Sequence, residues 1–211
     1  MLNESFIGGW LSGTAIAAAI EDHEIYVSPF DPAAINPNSY NYRLGASISR
    51  LVSPEIDLRV EDEFEEMTIE PEGLVLLPGE CYLGHTVEVF GSSVYASLVT
   101  GRSSIGRKFI TNHVTAGLID VGFCGQITLE ITVQRPTRVY EGSHFGQIFW
   151  FSLLGNAQIQ YQGKYQGQRG ATPARLGPEN LQPAISNPPL SRIQPAARAQ
   201  MVSPAGLFNG P

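Results

Sequence analysis

GRSSIGRKFITNHVTAGLIDVGFCGQITLEITV, residues 101–133, decides how the rest of this chain is read. It opens with two serines and two arginines in a turn that also carries Gly101 and Gly106. It passes Asp120 in a second glycine-bounded turn and closes on a run with a period of two. In that run Ile127, Leu129, Ile131 and Val133 fall on one side, and Gln126, Thr128, Glu130, Thr132 and Gln134 on the other. This is the pattern of a half-buried β-strand, so Glu130 belongs to the polar face and not to the core.

Short runs of the same kind lie on either side. IYVSPFDP reads as a strand stopped by proline, and in NSYNYRL the residues Tyr40, Tyr42 and Leu44 alternate with Asn41 and Arg43. GLVLLPGECYLGHTVEVF gives two strands about a Pro-Gly turn, SVYASLVT another, and VYEGSHFGQIFWFSLL a turn and a last long strand. Residues 6–24 read as one amphipathic helix ended by the polar run EDHE. With 22 Gly and 15 Pro to make the turns, the chain is expected to be all-β, a sandwich or distorted barrel with one N-terminal helix. A length of 211 residues suits one sizeable core, assigned to residues 1–175. From 176 to 211 Pro, Ala, Ser, Asn and Gln dominate without any period, and a disordered tail is expected there.

Composition removes several function classes. A net charge of −7 argues against a nucleic-acid partner, while leaving room for a small anionic ligand held by a few local cations. Two cysteines, Cys81 and Cys124, make no disulfide framework and no Cys-x-x-Cys pair, which points to a reduced, cytoplasmic setting. The same count removes zinc-deaminase chemistry, which needs a Pro-Cys-x-x-Cys segment, and no His-Glu-x-x-His is present. The acidic run Glu61–Glu66 has no ligand spacing and reads as a solvated loop. The apolar stretch Phe6–Ile20 has Glu4 and no basic residue before it, and it is short and interrupted by glycine. Neither a signal peptide nor a membrane span is expected from it.

The candidate chemistry is concentrated in the central stretch. Arg102 and Arg107 are suited to clamp phosphate oxygens, with Ser103 and Ser104 as further donors and Gly106 allowing close backbone approach. An ordinary surface turn has the same composition. Asp120 either grips a sugar hydroxyl or a water, or caps its own turn. Glu130 is either a solvent-facing residue or, if its face lines a pocket, a general base. A lone histidine, His113, is read as structural. Lys164, Tyr165, Gln168 and Arg169, in YQGKYQGQRGATPAR, belong to a closing flap or to a frayed end.

Taken in order, GRSSIGR, HVTAGLIDVGFCGQITLEI, GQI and KYQGQRGATPAR, together with NPNSYNYRLG and the LLPGE turn, resemble the dCTP deaminases of the dUTPase-like superfamily. The likeness covers residues 6–175. It implies a distorted, jelly-roll-like β-barrel of the dUTPase type, assembled as a homotrimer with active sites between subunits. It also implies a zinc-independent deamination of dCTP. Glu130 would be the general base for a water attacking C4 of cytosine, and Ser103 and Arg107 would hold that water. Residues 102–107 (Arg102, Ser104 and Gly106 included) would wrap the phosphates, and Asp120 would contact the deoxyribose. Thr128 and Leu129 would meet the base edge with Glu130, while Gln147, Lys164 and Gln168 would close over the nucleotide. Tyr161 would take the flap-tyrosine role, although the Tyr-to-Lys interval is shorter than in the family. Mg²⁺ would arrive on the triphosphate, with no protein metal site. AGLIDVGF, with Gly117-Leu118-Ile119-Asp120 in place of the His-Arg-Ile-Asp of deaminase-only members, is closer to bifunctional members that continue to dUMP. Asn41 stands where many relatives have Asp, at a position peripheral to the chemistry. The alternatives are a dUTP diphosphatase, whose aromatic Gly-rich arm is not matched here, and a catalytically silent nucleotide-binding regulatory barrel.

Overall fold

Ser12 starts the helical part of the chain. Its hydroxyl accepts from Ala15 N at 3.2 Å and opens helix α1 (Gly13–Glu21), which turns Ile16 and Ala19 inward. The computed structural model describes residues 9–155 and 158–177. Within them the helix is shorter than the 6–24 expected. Gly9, Trp10 and Leu11 are extended instead, with Leu11 N bonded to Trp150 O at 3.0 Å and Ser152 N to Gly9 O at 3.1 Å. An apolar stretch read by composition as helix is claimed at its start by an open strand edge. Residues 6–8, and the tail expectation for 178–211, lie outside the described residues.

The strands follow in order: β1 (Ile25–Ser28), β2 (Ile35–Asn36), β3 (Ser39–Arg43), β4 (Ser47–Leu51), β5 (Phe64–Thr68), β6 (Leu74–Leu76), β7 (Tyr82–Ser92) and β8 (Tyr95–Gly101). After the single helical turn α2 (Ser103–Gly106) come β9 (Ile110–Thr111), β10 (Leu118–Ile119), β11 (Cys124–Val133), β12 (Thr137–Val139) and β13 (His144–Ser152). One sheet has the order β5-β4-β7-β11-β9 with β1 added to β7; a second is β10-β8-β13-β3-β2; β6 and β12 pair alone. The all-β expectation holds, with the sheets not closed into a continuous barrel. The two strands about the Pro-Gly turn do form, but β6 pairs with β12 and β7 with β1, β4 and β11. The acidic run is also more than a loop, since its second half is β5, with Glu65 bonded to Arg50 at 2.6 Å.

β7 and β11 form the spine. Gln126 pairs with Val89 and Thr128 with His85, so β7 spends extra residues where β11 spends one. The bulge is satisfied locally. Thr86 Oγ1 accepts from Ile127 N at 3.0 Å and donates to Glu88 O at 2.6 Å. Glu88, 1% exposed, takes Arg43 N at 3.0 Å and Arg43 Nε at 2.6 Å, which joins the two sheets by a charge-assisted pair.

β11 itself behaves as its sequence predicts. Ile127, Leu129, Ile131 and Val133 are buried in the core with Phe90, Ile148 and Trp150, while Thr128 and Glu130 face away. β3 departs from simple alternation. Asn41 is buried along with Tyr40 and Tyr42, because β13 and β2 cover both edges and Asn41 Nδ2 finds Asn36 Oδ1 at 3.2 Å.

Tyr42 accepts from Asn112 Nδ2 at 3.0 Å, and burial pushes its phenol far above the usual range, the Asn112 bond offsetting part of this. Gly146 is the residue that makes room for it, since a Cβ there would lie 2.0 Å from the Tyr42 oxygen. Gly146→Ala is expected to cost about 2–3 kcal/mol through overpacking, read as a lower denaturant midpoint with an unchanged m-value.

Candidate active site

Glu130 leaves β11 on the face opposite the core and enters a cavity of about 530 Å³. Leu83 of β7 and Phe64 of β5 extend the same wall. The segment after Asn112 supplies His113, Ala116, Leu118, Ile119 and Asp120, and the C-terminal segment supplies Tyr161, Tyr165, Gln168 and Thr172. The volume is that of a small-molecule site, mostly apolar with a few polar groups.

The strand face that carries Glu130 lines this cavity. Its side chain is 36% exposed, lines the cavity, and accepts from Val114 N at 2.8 Å. His113, read as structural, lies beside it, with Nδ1 at 3.5 Å from Glu130 Oε2. The imidazole is 10% exposed and among the described residues neither nitrogen has a hydrogen-bond partner, so the contact is a proximity and not a formed bond. Asp120 is exposed in the same cavity, and its carboxylate makes no hydrogen bond among the described residues. It therefore does not cap its own turn.

The C-terminal segment is fastened across β11 rather than frayed. Gln126 N donates to Gln168 O at 3.1 Å, and Gln168 Nε2 returns a bond to Gln126 O at 2.7 Å. Gly170 N donates to Gln126 Oε1 at 2.7 Å and Thr172 N to Thr128 Oγ1 at 3.2 Å. Tyr161 packs edge-on against Phe123 at 5.8 Å, and its hydroxyl accepts from Tyr165 N at 3.1 Å. Lys164 does not line the cavity; its ammonium bonds Arg175 O at 2.5 Å.

The Ser/Arg turn lies elsewhere. Arg102, Ser103, Ser104 and Arg107 line a second cavity, of about 350 Å³, with Asn36, Asn41 and Gln147. Gln147 Oε1 accepts from Ser39 Oγ at 3.0 Å and its Nε2 donates to Gly101 O at 3.2 Å, so its amide braces this cavity and not the one with Glu130. Asn41, expected to be peripheral, is part of the same wall. Leu129 turns its fully buried side chain into the core, which leaves its backbone alone to meet a ligand. Gly106 lines neither cavity.

Charge divides sharply between the two cavities. Among the described residues three carboxylates, Asp62, Asp120 and Glu130, line the first with no Lys or Arg. Two guanidiniums and two hydroxyls line the second with no carboxylate. The first suits a nucleobase and sugar, the second phosphate oxygens. Asp62, in the run read as a solvated loop, and Phe64 and Leu83 join this wall through long-range pairing, which sets β7 beside β11 and carries β5 into the same sheet through β4.

A dCTP deaminase-like family profile matches residues 10–153. The chain belongs to the dCTP deaminase-like family. A "dCTP deaminase, dUMP-forming" from Cytophaga hutchinsonii is 42% identical over 153 residues, covering 72% of this chain and 88% of that one. A protein of the same description from Clostridium botulinum is 38% identical over 166 residues, covering 79% and 95%. The crystal structure of 2'-deoxycytidine 5'-triphosphate deaminase from Agrobacterium tumefaciens superposes with a TM-score of 0.56 at 24% identity. It covers 69% of this chain, which spans about half (48%) of that structure's length, and it shows a shared fold. Family membership accounts for the order of the motifs, and the geometry above shows where this member places them.

Gln126 is the anchor of the C-terminal segment. Gln126→Ala removes the side-chain bond to Gly170, and a bond of that kind is worth about 0.5–1.5 kcal/mol. Amide exchange at Gly170 should accelerate by up to about tenfold, with β13 unaffected.

Proposed function

We propose that this chain deaminates dCTP and carries the product on to dUMP, with the active site completed by a second copy. The observation that carries this reading is the division of charge between the two cavities. A nucleoside in the Glu130 cavity needs its phosphates neutralised, and that cavity offers carboxylates. The matching Arg102, Ser103, Ser104 and Arg107 lie in a separate cavity of the same chain. A homotrimer, with the Arg/Ser turn of one copy facing the Glu130 cavity of the next, joins the halves at every interface.

In the proposed reaction Glu130 takes a proton from water as its oxygen adds to C4 of cytosine. The same carboxylate carries that proton to ring N3 and then shuttles the C4 hydroxyl proton to the exocyclic nitrogen, the C4–N bond breaks as the C4 carbonyl forms, and ammonia leaves with dUTP as product. Ser103 and Arg107 of the neighbouring copy steady the water and the developing charge. Thr128 and the backbone at Leu129 read the base edge, and Tyr161 and Gln168 close the cavity against bulk water. A second water, oriented by Asp120, attacks the α-phosphorus, the bond to the β-phosphate oxygen breaks, and dUMP and diphosphate leave. Mg²⁺ enters as part of the triphosphate substrate. Among the described residues no three His, Cys, Asp or Glu side chains are grouped to hold a metal. No helix there is long and apolar enough to cross a membrane. A reducing, cytoplasmic setting, and a compact unit ending near residue 175, belong to the same reading.

With dCTP and Mg²⁺ the protein should release ammonia, and Glu130→Gln should lower the rate by about 10²–10⁴-fold, the usual weight of a general base. Absence of ammonia from every cytosine nucleotide sinks the deaminase reading. Product chromatography tests the second step: the wild type should give dUMP, and Asp120→Asn should accumulate dUTP.

Mixing separately inactive Glu130→Gln and Arg107→Ala chains, after dissociation and reassembly, tests the shared site. Turnover should return to about a quarter of wild type, the share of interfaces at which random pairing unites two intact contributions. A mixture as inactive as its components would place the whole site within one chain.

A further inference from the structure

We propose that the acidic loop between β4 and β5, residues 52–63, is the docking arm of the oligomer and seats on the α2–β9 turn of a neighbouring copy. This deepens the reading above and rests on it, since the neighbour is the copy that supplies Arg102 and Arg107.

The loop is built, and its apolar side chains point outward. Its base is closed by Val52 N to Glu63 O at 2.9 Å and Glu63 N to Ser53 Oγ at 2.7 Å. Its tip is turned by Asp57, which accepts from Arg59 N at 2.9 Å and from Val60 N at 3.0 Å. Yet Ile56, Leu58 and Val60 are 61%, 78% and 60% exposed. Three exposed apolar side chains, alternating with Asp57 and Arg59 on one ordered loop, forgo the hydrophobic gain of burial unless another surface covers them. Around them Glu61, Asp62 and Glu63 form no side-chain bond among the described residues, and Asp62 already lines the Glu130 cavity.

The α2–β9 turn has the complementary character. Phe109 is 70% exposed and stands at φ 58, a left-handed conformation that a bulky residue adopts at a cost. Lys108 beside it makes no side-chain bond among the described residues. An apolar, anionic loop and an apolar, cationic turn on one chain make a heterologous pair, the kind that closes into a ring. Both are continuous with the two half-sites: Asp62 joins the loop to the Glu130 cavity, and α2 carries the Arg/Ser turn. Docking one on the other delivers the phosphate-binding half to the nucleoside-binding half.

Light scattering and sedimentation without nucleotide test this apart from catalysis. Wild type should be oligomeric, and Leu58→Asp and Phe109→Asp should each weaken self-association by about tenfold or more, as loss of an interface anchor does. Their far-UV spectra should stay unchanged, because both side chains are exposed. Glu61→Lys and Lys108→Glu should each weaken assembly, and the double reversal should recover it, which a merely unfolded chain cannot do. A monomeric wild type, or association indifferent to both Leu58→Asp and Phe109→Asp, overturns the docking arm. So does a double reversal no better than its single components. Ammonia release by wild type, measured separately, decides the catalytic reading whichever way assembly falls.

Discussion

The pairing of β11 with β7 across a register irregularity is the constraint on which the rest depends. β11 must present its apolar face to the core, so Thr128 and Glu130 are forced outward. Side chains repeat every two residues, so a slip of one residue would exchange the faces and bury the carboxylate. The bulge in β7 is held by Thr86 bonding Ile127 N. Alternation along β7 faces Glu88 inward in phase with Gly84, Thr86 and Phe90, and there Arg43 N and Nε satisfy it. Thr86 and Glu88, two residues apart on β7, thus hold the register of β11 and tie the two sheets together.

The split of charge follows from elementary electrostatics. A guanidinium held against Glu130 in a closed chain would pair with it, stabilise the carboxylate and weaken it as a base. Placing Arg102 and Arg107 in a cavity without carboxylates keeps both groups available. In the proposed assembly the two halves meet across an interface, with solvent and substrate between them.

Covering the Glu130 cavity is the work of a segment with little regular structure. Residues 161–175 are attached to β11 by the side chains of Gln126 and Thr128, on the outward face of the strand, and by Gln168 of the segment itself, which bonds the Gln126 backbone. The alternation that buries Leu129 therefore also offers the bonding groups that fasten the cover. Wall and cover come from the same period of two.

The amino-acid sequence by itself determined the β class, the faces of β11 and the ordered set of motifs, because these depend on local periodicity and on residue chemistry along the chain. It pointed to Glu130, Asp120 and the Arg/Ser turn as candidates, and left open whether any of them met a pocket. The tertiary structure decided that Glu130 and Asp120 share a cavity and that the Arg/Ser turn does not join them. It also brought His113 against Glu130, moved Asn41 from the periphery into a site wall, and ended α1 short of the apolar stretch before it. Each of these depends on which strand edge was free and which residues distant in sequence came to lie side by side, a matter of long-range pairing that no local pattern carries.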